Sequence, residues 1–245
     1  MPSDRFPQTF WGLTALAAAI AFSALMLGGS AVKVKRAGDA ISVTGSAKRP
    51  IRSDFVIWRA SVSSHQPSLA EAYPEIKRHS DRVRAFLAAR GVADSSLTTR
   101  PMETQPIPEV MNNGRETGRT AGYRLTQTFE VRSFDVDAVT RLAQQANEVI
   151  QEGVPLVSQP PEYLYTKLAD VRTAMLGEAT KDARTRAGSI ARAAGSDIGA
   201  VREVRMGVFQ ITPRNSTEVN DYGINDTSSL EKDITAVVRV TFAVK

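Results

Sequence analysis

From Phe6 to Val32 the chain carries no charged side chain. Arg5 precedes this run, and Lys33, Lys35 and Arg36 follow it. A helix needs about 20 mostly apolar residues to cross a hydrocarbon core, and this run is long enough. A buried core helix would show a polar face, and none is present here. The pattern therefore predicts an N-terminal transmembrane helix. Phe10, Trp11, Leu16, Ile20 and Leu27 would lie against lipid, and Lys33, Lys35 and Arg36 would reach lipid headgroups.

A cleaved signal peptide is the competing reading, with Gly29-Ser30-Ala31 as a small-residue cleavage site. The apolar run exceeds the signal core of about 7–15 residues, and its basic leader is a single Arg5 offset by Asp4. Trp11 suits an interfacial anchor. A retained single span is expected, dividing the chain into a membrane anchor with its basic flank (1–36) and a domain (37–245). Taken alone, the excess of Lys and Arg on the C-terminal flank would hold the domain in the cytoplasm. Of the formal net charge of +5, residues 1–36 supply +3, from Arg5, Lys33, Lys35 and Arg36 against Asp4. The domain is nearly balanced, and no basic stripe with interleaved aromatics follows, so no nucleic-acid partner is expected.

Beyond the anchor the pattern is α+β. Ile41 and Val43 open a short strand. In 54–64, Val56, Trp58, Ala60 and Val62 alternate with Arg59, Ser61 and Ser63, the period of a half-buried strand. Ser68 and Glu71 form a capping box before a helix with Leu69, Tyr73, Ile76, Val83 and Leu87 near one face, Pro74 as a kink and Gly91 as its stop. Residues 96–110 are extended, and 104–120 form a loop or long hairpin tip. Tyr123, Leu125, Gln127, Phe129 and Val131 mark the clearest strand, leaving Glu130 and Arg132 on the polar side. Asp135 opens a second helix, closed by Gly153, and 154–166 form a strand broken at Pro160-Pro161.

The order β-α-β-β-α-β predicts a ferredoxin-like core. A long third helix runs from about Leu168 to Ala194 with Met175, Ala179, Ala183, Ala187 and Ala191 on one face for close packing or assembly. Two more strands follow, 201–211 and 236–244, separated by a polar segment over 212–232 that is expected to be functional or disordered. Sub-units 37–166 and 167–245 are a possible division.

Catalytic chemistry is scarce. Cysteine is absent, which excludes thiol catalysis and Cys-based zinc sites. The two histidines, His65 and His79, read as surface or loop residues with no metal-ligand pattern around them. Gly114 and Gly118 lack the context of a phosphate loop, and Gly195-Ser196-Asp197 reads as a helix end and turn. Asp135 and Asp137 sit at a helix start, where the dipole favours carboxylates. The third helix is basic through Arg184, Arg186 and Arg192, but Asp170, Glu178 and Asp182 are interspersed as on a solvated face. No enzyme activity, metal or cofactor is expected.

The chain resembles the SIMPL-domain family. The resemblance is carried by Ile41-Ser42-Val43-Thr44-Gly45, the strand Asp54 to Ser64, Gly91-Val92, Leu97-Thr98-Thr99-Arg100 and Tyr123-Arg124-Leu125-Thr126. Its most telling part is the four-residue ladder Ala179, Ala183, Ala187, Ala191, Gly195, followed by Ile198-Gly199 and Val201. Ile234 to Phe242 completes it, so that it covers about 40–245. It implies an exported bacterial envelope protein, linked to stress tolerance without an assigned reaction, and in some members a ring or cage oligomer. The resemblance favours the periplasm for the domain, against the flanking charges. The expectation is a single-pass inner-membrane protein that self-assembles, with the bilayer, its own copies and an envelope protein as partners. A monomeric or dimeric periplasmic module that binds a small ligand or an envelope protein is the alternative.

Overall fold

A computed structural model describes residues 11–23 and 39–245. It is an α+β structure of two compact units that interleave along the chain. The first comprises Met1–Ala47, Thr173–Val208 and Ala236–Lys245, and the second Lys48–Arg172 and Phe209–Thr235.

In the first unit, residues 11–23 are helical (α1) and every one is exposed. Among the described residues no helix is long and apolar enough to cross a membrane. The rest of the uncharged run, with Phe10, Leu27, Lys33, Lys35 and Arg36, lies outside the described residues.

Strand β1 (Ala40–Arg52) begins in this unit. The second unit is built on β2 (Phe55–Gln66), whose Val56, Trp58, Ala60 and Val62 are buried. After β2, Ser68 caps α2 (Leu69–Ala89) by accepting from the Glu71 amide at 3.3 Å and meets the Glu71 carboxylate at 3.1 Å. Pro74 removes one N–H near the start of α2, and the helix continues through it. The buried face of α2 runs through Ala72, Ile76, Ser80, Val83 and Leu87, while Leu69 and Tyr73 are exposed. The expected face is thus rotated at its first turn.

Strands β3 (Leu97–Thr99) and β4 (Glu103–Val110) follow, then β5 (Glu116–Ser133). The expected loop over 104–120 is therefore the tip of a long hairpin, turned at Met111–Arg115 with Gly114 at φ +80°. Asp135 caps α3 (Val136–Gln145) through the Ala138 amide at 3.0 Å, and α4 (Asn147–Gln151) ends before Gly153. Residues 154–166 supply β6 (Leu156–Ser158) and β7 (Glu162–Leu164), separated by the two prolines that cannot donate to a ladder.

The sheet order is β3-β5-β2-β6, with β4 beside β5 and β7 beside β2, and every pairing is antiparallel. Trp58, Phe129, Ile76, Leu87 and Val139 belong to the core between this sheet and α2, α3 and α4.

Helix α5 (Leu168–Ala193) starts in the second unit and runs on in the first. There Met175, Ala179, Ala183, Ala187 and Ala191 are fully buried. Gly45 of β1 is their counterpart. A Cβ there would overlap the Ala179 carbonyl oxygen and the Ala183 amide, and would lie 2.7 Å from the Ala183 Cβ.

The expected strand 201–211 is two strands, β8 (Ile198–Met206) and β9 (Gln210–Pro213). Both pair antiparallel with β11 (Glu231–Val244), β8 in the first unit and β9 in the second. Gly207 donates to the Val237 carbonyl at 2.9 Å where β8 ends. The polar segment 212–232 is tied down rather than free. It contains β10 (Ile224–Asn225), which pairs parallel with β9, and Gln210 Nε2 donates to the Asn220 carbonyl at 2.6 Å.

Candidate functional site

No constellation of three or more metal-ligating side chains exists among the described residues. His65 is exposed at the end of β2. His79 is half-buried on α2, and its Nδ1 has no hydrogen-bond partner among the described residues. The candidate features are therefore surfaces and buried charges.

The first surface is α1. Trp11, Leu13, Leu16, Ile20 and Phe22 are 57–71% exposed. They point around the helix rather than along one stripe, so α1 has no protein-facing side among the described residues. A contiguous apolar surface of that kind marks contact with lipid or protein.

The α5 stripe, by contrast, is internal to the chain. Asp182 adds a polar tie beside it, accepting from the Ser46 amide at 2.8 Å and pairing with Arg186 at 2.8 Å. These two donors, Ser46 first, hold the Asp182 carboxyl below its usual range.

A buried carboxylate lies on the face of the β2–β5 sheet turned away from the core. Register sets Glu130 opposite Arg59 on β2 and Thr98 on β3. Glu130 is 2% exposed, although alternation places it on the polar side. Arg59 donates to it at 2.7 Å, Arg100 at 2.5 Å and Arg132 at 2.6 Å. Arg59 also donates to Glu162 at 2.5 Å. Burial alone would raise the carboxyl pKa of Glu130, but the three guanidinium hydrogen bonds outweigh it and hold it at about 2. Glu130 is therefore ionised at neutral pH and sits in a fixed ion network.

Lys232 is the second buried charge, 2% exposed. Its ammonium donates to the Tyr163 carbonyl at 2.6 Å and to the Asp226 carbonyl. Burial pushes its pKa below the ordinary lysine value, and the Asp226 charge acts the other way. The Tyr163 amide in turn donates to Thr227 at 2.7 Å. Lys232 therefore clamps the end of the polar segment onto β7.

Sequence reasoning missed both charges. For Glu130 the signal is present as Arg59 and Arg132 on strands and Arg100 directly after β3, but only the fold brings them to one carboxylate. Lys232 has no sequence signal, since a lysine ending a polar segment ordinarily points to water.

A groove of about 360 Å³ between α3 and the β6–β7 connection is lined by uncharged polar groups, including Thr140, Gln144, Asn147, Ser158, Gln159 and Tyr163. The Thr140 and Tyr163 hydroxyls lie 3.1 Å apart.

The family model described as SIMPL, protein of unknown function (DUF541), matches residues 41–242. The chain belongs to the SIMPL family. No curated protein matches it significantly. Among solved structures it is similar to the de novo designed protein Foldit4, at 13% identity and a TM-score of 0.21 over 43% of this chain and 93% of that one. It is also similar to a hydantoinase/carbamoylase family amidase from Burkholderia ambifaria, at 16% identity and a TM-score of 0.24, covering 44% of this chain and 28% of the amidase. A hydrolase from Listeria innocua aligns at 11% identity and a TM-score of 0.23 over 81% of this chain and 91% of that one. Likenesses of this degree carry no argument about activity.

Proposed function

We propose that this chain is a non-enzymatic, single-pass inner-membrane protein whose domain lies in the periplasm and self-assembles into a ring- or cage-like homo-oligomer of the cell envelope, with a role in stress tolerance. The observation that carries the reading is α1, an apolar helix exposed on all sides among the described residues. An isolated helix of that kind is stable only when lipid or protein covers it. Membership of the SIMPL family supports the envelope setting through what the resemblance implies. We read the second unit as ferredoxin-like, supported by its antiparallel order β3-β5-β2-β6 and by the two helical segments that link the strands.

Membrane fractionation tests the anchor. Leu16→Lys with Ile20→Lys costs about 2.5–3.5 kcal/mol per lysine at a helix centre. The wild-type chain is expected to stay with membranes through an alkaline wash, and the double variant to be released. Equal release of both would overturn the anchor.

The groove beside Tyr163 favours the second reading, a small periplasmic binding module for an uncharged ligand or an envelope protein. That reading predicts monomers or dimers in place of a large discrete species.

A further inference from the structure

Among the described residues β8 pairs with β11 alone, so its outer edge carries ladder groups without a partner. Such an edge is a template for another strand, and proteins blunt it with charges, above all Lys, or with Pro. Between Ile198 and Met206 there is neither Lys nor Pro, and the charges there, Arg202, Glu203 and Arg205, are of both signs.

The side chains of β8 are equally open. Its register places Val201, Val204 and Met206 opposite Phe242, Val240 and Val238 of β11. Directly opposed residues share a face, and those three β11 residues are buried. Thr241 contacts Ser42 of β1 on the other face, so the buried β11 residues share the face of Gly45, where α5 lies. Yet Val201, Val204 and Met206 are 47%, 49% and 68% exposed. The helix-side face of the sheet thus continues onto its edge strand with nothing over it among the described residues. A bulge between Val201 and Glu203 leaves Glu203–Met206 as the regular stretch.

We propose that the outer edge of β8 pairs antiparallel with β8 of a second copy of this chain, about a two-fold axis at Val204. This rests on the self-assembly reading above and names one of its contacts, since a two-fold pair closes at two copies and a ring or cage joins such pairs through a second surface. A two-fold axis normal to a sheet keeps like faces together, so the residues opposed across it are separated by an even number of positions. Centring the axis on Arg202, Glu203 or Arg205 sets a charge against its own copy, which is unfavourable. Centring it on Val204 sets Glu203 against Arg205 of the second copy, twice, and Val204 against Val204. Glu203 and Arg205 already pair at 2.6 Å within one chain in the open, so both are placed to share across the axis. The ladder is short, and a common bilayer raises the effective concentration of the two copies.

The cysteine-free sequence makes the test direct. Val204→Cys in the full chain, solubilised in mild detergent and treated with a mild oxidant, joins only to itself. Across an antiparallel pair the Cα atoms lie about 4.5–5.5 Å apart, within disulfide reach. Val219→Cys, on a residue 77% exposed elsewhere, is the control for random collision. Covalent dimer is expected at least tenfold faster from Val204→Cys. Adding Arg205→Glu should abolish the excess, and adding Glu203→Arg to that variant should restore it. Equal rates for the two cysteine variants would overturn the proposal, as would capture of a chain of different mass by Val204→Cys in intact cells. Light scattering on the same samples separates the two readings. A large species without the Val204 crosslink leaves self-assembly standing and removes the β8 contact, a crosslinked dimer keeps the β8 contact and removes the ring or cage, and a monomeric wild type removes both.

Discussion

Gly45 shows how one residue sets the geometry of the first unit. A Cβ at this position would collide with the α5 backbone at Ala179 and Ala183, so the helix lies on β1 at main-chain distance. Gly45→Ala is expected to destabilise the chain by about 1–3 kcal/mol, the usual cost of overpacking, measured by denaturant unfolding. An unchanged midpoint would mean that α5 does not press on β1. Glu130 gives a prediction of a different kind. Its folded pKa of about 2 lies below the ordinary glutamate value. A depressed carboxyl contributes stability above its unfolded pKa and loses it as pH falls through the folded one. The network therefore weakens between roughly pH 5 and pH 2, by on the order of 2 kcal/mol once the exposure of Arg100 and Arg132 is discounted for screening. Glu130→Gln should remove that part of the acid dependence while lowering stability at neutral pH. An acid profile parallel to wild type would refute the assignment.

At the scale of elements, α5 and the polar segment illustrate what the sequence can and cannot say. The stripe Met175, Ala179, Ala183, Ala187 and Ala191 is legible because small residues at four-residue spacing have few uses besides close approach. Its counterpart Gly45 is 134 residues from Ala179 in sequence, and only the fold identifies it. Ala183→Leu with Ala187→Leu should therefore destabilise the chain more than either change alone, read as a lower melting temperature, and an unaltered melt would count against the stripe. The segment 212–232 reads as functional or disordered because its composition is that of a loop. The ties that hold it, from Lys232 and Gln210 to main-chain carbonyls, depend on long-range placement. Lys232→Ala leaves the Tyr163 and Asp226 carbonyls without that donor, and a loss of about 1–3 kcal/mol is expected from unsatisfied buried acceptors. Protease nicking between Ser216 and Asn225 should rise in parallel, and resistance equal to wild type would argue against the clamp. The division of the expected strand 201–211 into β8 and β9 was not legible, because the apolar pattern does not reveal that two strands share successive parts of β11.

For the whole molecule, the sequence made the α+β class and the family readable through the order of its strands and helices. It left the surfaces open, because exposure depends on which faces the fold covers, as β8 shows with apolar residues left in solvent. For the proposed anchor, the basic flank and the export implied by the family resemblance argue for opposite orientations. With no native cysteine, Ser228→Cys gives a single reporter on the second unit. An impermeant maleimide admitted only through the outer membrane is expected to label it, and labelling that requires rupture of the inner membrane would place the domain in the cytoplasm.

Self-assembly is the central claim, and mass tests it most directly. Light scattering on a sizing column, for the full chain in mild detergent and for residues 37–245 without it, should return a large discrete species in both cases. Monomers or dimers in both would contradict the account and leave the groove beside Tyr163 as the place to look for function.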